Sequence, residues 1–263
     1  MLKQAILDEI TKKDYSGIQD KIKTFLANET SQRQAAGVIF GLSGGIDSAV
    51  IAILCAKSLK DKSLALIMPD SKITPKKDTE DALHLVGKLG LEYKLIDINP
   101  IHYEYSKYLE PEPLSLGNLR ARIRANILYY YSNSKNYLVL GSSDKSEFLI
   151  GYFTKYGDGG ADLLPIVSLY KTQIREFAKF LGVPDSIISK KSSPSLWQSH
   201  YAESELGVSY EEIDAVLHCM TDKNMSAQET VDHTGVEQSV VDKIHKLYKK
   251  SEHKRITPKA CQL

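Results

Sequence analysis

The segment of this sequence best suited to binding phosphate is the string SGGIDS at residues 43–48. Its two glycines can adopt positive φ angles and let an anion approach the backbone closely. At the start of a following helix, backbone N–H groups point at such an anion and the helix dipole adds to the attraction. The predicted phosphate loop comprises Gly41, Leu42, Ser43, Gly44, Gly45, Ile46, Asp47 and Ser48, with the two serine hydroxyls as further donors.

Asp47 is the unexpected member of this loop, because a carboxylate that faces a phosphate is repelled by it. A cation between the two removes the repulsion, so Asp47 indicates a Mg²⁺ ion that bridges carboxylate and phosphates. The loop is not a Walker A motif, because GxxxxGK[ST] is absent. The simpler interpretation is a glycine-rich turn between strand and helix, with a serine as the helix cap.

Short apolar runs alternate with helical patterns on both sides of this loop. The predicted strands are residues 37–42, 64–68, 91–98 and 137–140, and the predicted helices include 48–59, 118–131 and 171–181. This alternation predicts an α/β fold, a doubly wound, mostly parallel sheet with flanking helices. Ligands bind at the carboxyl ends of strands in such sheets. From Gly207 the pattern is helical, which predicts one domain over 1–263 with a C-terminal helical appendage over about 207–263.

Composition excludes several classes of protein. The 263 residues carry a net charge of +1, which gives no general attraction to nucleic acid or acidic membranes. The three cysteines are far apart, so neither a zinc motif nor a disulfide framework is expected. The charged N-terminus lacks the apolar core of a signal peptide, and no run reaches membrane-spanning length. We therefore expect a cytoplasmic protein without nucleic-acid or membrane partners.

Further motifs connect the chain to a known family. The segment YFTKYGDGGADLLP at 152–165, GNLRARIR at 117–124, LYK at 169–171, ELGVSY at 205–210 and SEHKR at 251–255 resemble the ammonia-dependent NAD synthetases. The SGGIDS loop is similar to the pyrophosphate loop of the wider group of N-type ATP pyrophosphatases. The resemblance runs in order from about Gly37 to Arg255.

The resemblance implies roles at an ATP and metal site. Ser142 and Lys171 match residues that contact ATP, and Ser193 aligns with a third, although a slip to Ser195 is open. Glu147 matches a second magnesium carboxylate beside Asp47, and such oxygen ligands suit this ion. Taken alone, Glu147 and Lys171 would more often be solvated side chains.

The resemblance also implies a site for the dinucleotide substrate. The matched contacts are Arg122, Lys155, Asp162, His253 and Lys254. Asp158 is the candidate for orienting the ammonia step, and Lys171 is the candidate for neutralising the phosphates. Arg122 and Arg124 lie two residues apart on a predicted helix, so only one is expected to enter the site. Without the resemblance, Arg122 would equally suit a surface ion pair and Asp158 a surface turn.

The reaction that the resemblance implies is the last step of NAD biosynthesis. ATP adenylates deamido-NAD, pyrophosphate leaves, and ammonia displaces AMP to give NAD. Only 40 residues precede the phosphate loop, so we expect free ammonia rather than glutamine as the nitrogen source. Family analogy further implies a homodimer with the substrate site near its interface.

Three other functions agree less well with the sequence. A tRNA-thiolating relative would commonly carry extra cysteines or a basic RNA-binding region. Residues 226–248 vaguely resemble a helix-turn-helix, but the near-zero net charge argues against DNA binding. A nucleotide-binding regulator without catalysis is disfavoured by the presence of Asp47, Glu147 and Lys171.

Overall fold

The computed structural model describes residues 2–193, 196–197 and 200–262 and is built around one parallel sheet. The strands are β1 (Gly37–Gly41), β2 (Ser63–Ile67), β3 (Glu92–Leu95) and β4 (Tyr137–Leu140), in the order β3-β2-β1-β4. The helices are α1 (Gln4–Thr11), α2 (Tyr15–Gln32), α3 (Ile46–Ser58), α4 (Lys76–Leu89), α5 (Asn99–Ser106), α6 (Pro113–Lys135), α7 (Lys145–Ile150), α8 (Lys171–Leu181), α9 (Asp185–Ile188), α10 (Ala202–Leu206), α11 (Tyr210–Leu217), α12 (Ala227–Thr234), α13 (Gln238–Lys250) and α14 (Glu252–Arg255).

Both faces of the sheet are covered by helices. Alternate residues of a strand point to opposite faces, and β1 shows this clearly. Val38 and Phe40 join the larger apolar cluster, which includes residues of α2, α3, α4 and α8. Ile39 joins a second cluster that includes Ile123 of α6. The predicted doubly wound α/β architecture is therefore confirmed.

The order of the strands creates one switch point. From β1 the chain moves outward to β2 and β3, then returns to place β4 on the other side of β1. The crossovers beyond the carboxyl ends of β1 and β4 consequently diverge and leave a crevice between them, where open α/β sheets bind ligands. The phosphate loop follows β1, and the segment with Ser142 follows β4.

The predicted bounds are accurate for buried elements and poorer at the sheet edge. Residues 137–140 and 171–181 were predicted as they are observed. The third strand is shorter than the predicted 91–98, because β3 is an exposed edge strand whose apolar pattern is weakly constrained by packing. Helix α6 extends beyond the predicted 118–131 in both directions, with Glu112 accepting N–H bonds at its start.

The C-terminal helices pack against the first helix of the chain. Ile6 and Ile10 of α1 are buried in one cluster with Ile213, Val241 and other residues of α10 to α13. The Gln173 side chain ties α8 to the same unit by donating to the Ile10 carbonyl at 2.8 Å. The division into a core and a C-terminal appendage stays a prediction. Among the described residues, no helix has the length and apolar character to cross a membrane.

Candidate active site

The crevice at the switch point opens into a cavity of about 1130 Å³. The turns after β1, β2 and β4 all contribute to its wall, through Ser43, Pro69 and Ser142 among others. A single small ligand usually occupies about 300–1,000 Å³. The volume at this edge of the sheet is therefore large enough for more than one substrate.

The phosphate loop has the positive φ expected of its glycines at Gly44 but not at Gly45, whose φ is −90°. Helix α3 begins at Ile46 with Gly45 as its N-cap, so Asp47 lies in the first helical turn. Gly44 has a φ of 81°, the left-handed region that glycine adopts without strain. A Cβ atom at Gly44 would lie 2.1 Å from the Asp78 carbonyl oxygen, so α4 packs directly against the loop.

The two serine hydroxyls of the loop are bonded to the loop itself. The Ser48 hydroxyl accepts from the Ser43 N–H at 3.1 Å and donates to the Gly45 carbonyl at 3.0 Å. The Ser43 hydroxyl lies 3.1 Å from that of Ser48 and accepts from the Gly45 N–H at 3.2 Å. These bonds hold the turn in one conformation before any anion arrives.

Lys171, a predicted ATP residue, is buried behind the cavity wall rather than in its lining, and it is surrounded by carboxylates. Its ammonium nitrogen is 2.8 Å from Asp47 Oδ2, 2.7 Å from Asp144 Oδ2 and 2.9 Å from Glu147 Oε1. The Lys171 side chain is 1% exposed and that of Asp144 is 0%, whereas Asp47 and Glu147 are 21% and 19% exposed and line the cavity. The cluster thus has two carboxylates at the cavity surface and a buried ion pair beneath them.

The electrostatics of this cluster favour a further cation. Three carboxylates face one ammonium group, and one oxygen of each carboxylate lies within 4.8 Å of the others. Burial, and then the charge of Asp144, raise the pKa of Glu147 to about 8. Burial lowers the pKa of Lys171, but the charges of Asp144, Asp47 and Glu147 outweigh it and hold that pKa well above its usual value. Asp144 Oδ2 also receives no hydrogen bond of good geometry. Excess acidic oxygen of this kind fits a hard divalent ion.

Helix α11 closes the cluster from the far side. The Tyr210 ring is fully buried, and the Lys171 ammonium lies 5.2 Å from the ring centroid, within the range of a cation–π contact. The Tyr210 hydroxyl lies 3.4 Å from Glu147 Oε1. The helices that carry the cluster residues, α3, α7 and α8, therefore meet α11 at this cluster.

The structure brings together three predicted substrate residues, Lys155, His253 and Lys254, although 98 positions separate Lys155 from His253. The Lys155 ammonium donates to the His253 carbonyl at 2.7 Å. Lys254 donates to the carbonyls of Gly151 and Phe153 at 2.7 and 2.8 Å and lines the cavity. These contacts join α14 to the loop that follows α7.

Asp158 faces the cavity within that loop. Its carboxylate accepts from the Thr154 N–H at 2.9 Å, and the residue is exposed toward the cavity. The surrounding protein nevertheless raises the pKa of Asp158 by desolvation, against the hydrogen bonds from Thr154 and the charge of Lys254. A carboxyl group whose pKa is raised at the surface of a cavity is a candidate functional group.

Of the five predicted substrate residues, Lys254 lines the cavity, whereas Arg122, Lys155, Asp162 and His253 lie outside its lining. Arg122 is exposed on α6, and Arg124 lines the cavity instead, where it donates to the Met68 carbonyl at 2.9 Å. Burial lowers the pKa of Arg124 to about 10. Asp162 accepts from the Val139 N–H at 2.8 Å and from the Tyr129 hydroxyl at 3.3 Å, which ties the loop to β4.

The remaining predicted ATP residues are placed at the cavity wall. Ser142 follows β4 and is half-buried in the lining. Ser193 also lines the cavity and donates to the His200 carbonyl at 2.5 Å. Ser195, the alternative to Ser193, lies outside the described residues.

Sequence reasoning missed several groups at this site. Asp144 was not identified, although its position as N-cap of α7, three residues before Glu147, was a detectable signal. Lys190 was also missed, and it donates to the Gly44 carbonyl at 3.1 Å while pairing with Asp78 at 2.7 Å. No local pattern distinguished Arg124 or Lys190 from ordinary surface cations.

A cluster of four side chains at the cavity was also not predicted from the sequence. His200 Nε2 and the Tyr152 hydroxyl each lie 2.6 Å from Glu205 Oε2, and the Trp197 ring stacks on the imidazole. All four side chains line the cavity. Tyr152 lies 48 and 53 positions before His200 and Glu205, so no local sequence pattern predicts that these side chains are close together.

The parallel sheet, the phosphate loop at its switch point and the carboxylate cluster define a nucleotide-binding α/β protein with a site for phosphates. A model of the NAD synthase family matches residues 18–258. The chain belongs to the NAD synthase family, so the predicted resemblance is confirmed.

Similar proteins cover nearly the whole chain. The NH(3)-dependent NAD(+) synthetase of Staphylothermus marinus is 49% identical over 248 residues, which are 93% of this chain and 90% of that protein. The protein of the same name from Aeropyrum pernix is 45% identical over 264 residues, or 98% and 92% of the two chains.

Solved structures show the same fold. The NMN synthetase of Francisella tularensis has a TM-score of 0.84 and 34% identity, covering 96% of this chain and all of that one. The NH3-dependent NAD synthetase of Campylobacter jejuni, in complex with the nitrate ion, has a TM-score of 0.82 and 37% identity, covering 95% of this chain and 100% of that one.

We predict that Gly44→Ala deforms the phosphate loop. The left-handed backbone costs a non-glycine residue roughly 1–2 kcal/mol, and the new Cβ must also displace the Asp78 backbone. The apparent affinity for ATP, measured by equilibrium binding, should fall. Gly87→Ala in α4 is the matched control, because a Cβ there meets nothing within 4 Å. Unchanged ATP binding by Gly44→Ala would show that this contact does not shape the loop.

Proposed function

We propose that this protein joins ammonia to deamido-NAD at the expense of ATP, producing NAD, AMP and pyrophosphate. Membership of the NAD synthase family and near-full coverage of relatives named NH(3)-dependent NAD(+) synthetase support this assignment. The observation that carries it is the phosphate loop at the switch point, facing the cluster of Asp47, Asp144, Glu147 and Lys171. The reaction takes place in the cytoplasm.

The reaction has two bond-forming steps. A carboxylate oxygen of the nicotinate group attacks the α-phosphorus of ATP, and the bond from that phosphorus to the bridging oxygen breaks, releasing pyrophosphate. Ammonia then attacks the acyl carbon, AMP leaves with the former carboxylate oxygen, and one proton is lost. The chain's contribution is mainly positioning and charge stabilisation.

Residues of the phosphate loop and of the cluster around Lys171 have different roles in this reaction. The first N–H groups of α3 bind the ATP phosphates, and the buried Lys171 ammonium adds positive charge from behind Asp47 and Glu147 without contacting the phosphates. Asp47 and Glu147 would hold Mg²⁺, and the buried Asp144 adds a third negative charge behind them. When bound, the ion supplies positive charge next to the phosphate oxygens. Ser142 and Ser193, which line the same cavity, contact ATP.

The loop after α7 and the helix α14 hold the second substrate. Lys155, His253 and Lys254 form a basic group where these segments meet, suited to the anionic deamido-NAD. Asp158, at the cavity surface, orients ammonia for its attack. Asp162 supports the substrate site by holding the loop against β4.

A homodimer accounts for the position of Arg122. Arg122, Asn126 and Tyr130 are exposed at four-residue intervals, so they form one stripe on α6. Exposed apolar side chains are concentrated near this helix, with Tyr108 80% and Tyr130 68% exposed. Burial of such a surface against a second copy of the chain is favourable. Arg122 then reaches substrate at the interface rather than from within its own cavity.

We predict that Asp47→Asn abolishes adenylation while preserving the shape of the loop. Loss of the negative charge that would hold the Mg²⁺ ion beside the phosphate oxygens should slow pyrophosphate release by about 100-fold or more. Binding of Mg²⁺, followed by calorimetry with ATP present, should weaken in parallel. Asp61→Asn, on an exposed turn before β2, is the control. Near-normal pyrophosphate release by Asp47→Asn would disprove the metal assignment.

We predict that NAD formation requires ammonium and increases with pH, because the unprotonated NH₃ is the nucleophile. NAD should be quantified by chromatography after incubation with ATP, Mg²⁺, deamido-NAD and either ammonium or glutamine. Nicotinate mononucleotide should replace deamido-NAD in a parallel series, since a similar structure is an NMN synthetase. Equal activity with glutamine in ammonia-free solution would contradict the nitrogen source, and preference for the mononucleotide would reassign the substrate.

We predict that Tyr130→Asp separates the proposed dimer into monomers, because it buries a charge in an apolar interface. Sedimentation velocity should show the change, and substrate affinity should fall with it because Arg122 is withdrawn. Phe25→Asp is the control, since α2 packs on the opposite face of the sheet. A wild-type protein that sediments as a monomer with full activity would refute the dimer.

A further inference from the structure

Asp214 of α11 is a buried carboxylate that the reaction does not use. It is 0% exposed and lies behind the cluster around Lys171. One of its oxygens, Oδ1, accepts a hydrogen bond from the Ser146 hydroxyl. The other oxygen, Oδ2, accepts from the Thr172 N–H at 2.8 Å. A single side chain therefore bonds to two separate helices.

Both contacts fall in the first turns of helices that carry cluster residues. Ser146 is the second residue of α7 and directly precedes Glu147. Thr172 is the second residue of α8 and directly follows Lys171. The Ser146 hydroxyl also accepts from the Lys171 N–H at 2.8 Å, so it links α7 to α8 while donating to Asp214. These three bonds form one continuous network.

The network has a clear electrostatic logic. The N-terminus of a helix carries partial positive charge and N–H groups without intrahelical partners, and a carboxylate satisfies both. Asp214 does this for α8 from another part of the chain. Burial raises the pKa of Asp214 to about 7, against the hydrogen bonds from Ser146 and Thr172 that favour its charged form. In that charged form the hydrogen bonds are charge-assisted and stronger than neutral ones.

We propose that Asp214 is a positioning residue that sets the placement of Glu147 relative to Lys171. This inference rests on the proposed function, because it concerns how the residues of the ATP and metal site are held in position relative to one another. Glu147 and Lys171 belong to separate helices, and the Asp214–Ser146 network fixes the two helical starts against each other. The C-terminal helical unit thus contributes directly to the geometry of the site.

The test compares Asp214→Asn, Ser146→Ala and the double variant. Asp214→Asn keeps the shape of the side chain but replaces one acceptor oxygen by a donor. We expect kcat for NAD formation to fall by about 10- to 100-fold, because small displacements of catalytic groups cost that much. At saturating Mg²⁺, the KM for ATP and for deamido-NAD should stay within about twofold, because the network contacts neither substrate.

The double variant separates positioning from stability. If both residues act through one network, the double variant should lose no more kcat than the worse single variant. Ser132→Ala is the matched control, since that buried hydroxyl bonds the Tyr137 carbonyl at 2.6 Å, away from the cluster. It should lower the melting temperature without lowering kcat. Should Asp214→Asn fail to fold, Ser146→Ala alone must show the loss of kcat.

A second measurement does not depend on turnover. Binding of Mg²⁺ in the presence of ATP should weaken in Asp214→Asn and Ser146→Ala but not in Ser132→Ala. Normal kcat and normal Mg²⁺ binding in stable Asp214→Asn would overturn the positioning role while leaving the proposed function intact. If the wild-type protein makes no NAD, the proposed function fails, and Mg²⁺ binding then decides the role of Asp214.

Discussion

The site is organised around the buried ammonium group of Lys171. Removing a charge from water costs several kcal/mol unless partners of opposite sign surround it. Asp47, Asp144 and Glu147 supply those partners from two other helices, at distances of 2.7–2.9 Å. Because three carboxylates outnumber one ammonium, the arrangement both buries Lys171 and remains acidic enough to attract a metal ion. The positions of α3, α7 and α8 all depend on this balance.

Sheet topology explains why these groups can meet. Strands β1 and β4 are neighbours, so the helices that follow them start at the same edge of the sheet. Helix N-termini attract anions, whether those anions are phosphates or the protein's own carboxylates. The same edge can thus gather acidic side chains in the first turns of α3 and α7 and still bind a nucleotide. Helix α11 completes the arrangement through Tyr210 and Asp214.

Solved structures of similar proteins share the fold of this chain. An NMN synthetase and an NH3-dependent NAD synthetase superpose on this chain with TM-scores of 0.84 and 0.82. Two proteins with different names therefore share the fold of this chain.

Local patterns in the sequence were enough to predict the buried strands, the phosphate loop and the family. Strand β4 and helix α8 were predicted to the residue, since their apolar periodicity and bounding glycines are local properties. The glycine at 44 was predicted from its backbone freedom, and its φ of 81° agrees. The edge strand β3 was predicted too long, because exposure removes the packing that sharpens a strand's ends.

Only the tertiary structure decided which charged residues belong to the site. Asp144 looks like a helix cap in the sequence, yet complete burial against Lys171 makes it part of the cluster. Arg122 and Arg124 have similar local contexts, and the packing of α6 against the sheet turns Arg124 into the cavity. Charge–charge contacts within the site join residues as far apart as Asp47 and Lys171, which are separated by 124 positions. No local pattern encodes such contacts, because their energy depends on burial and distance that exist only once the chain has folded.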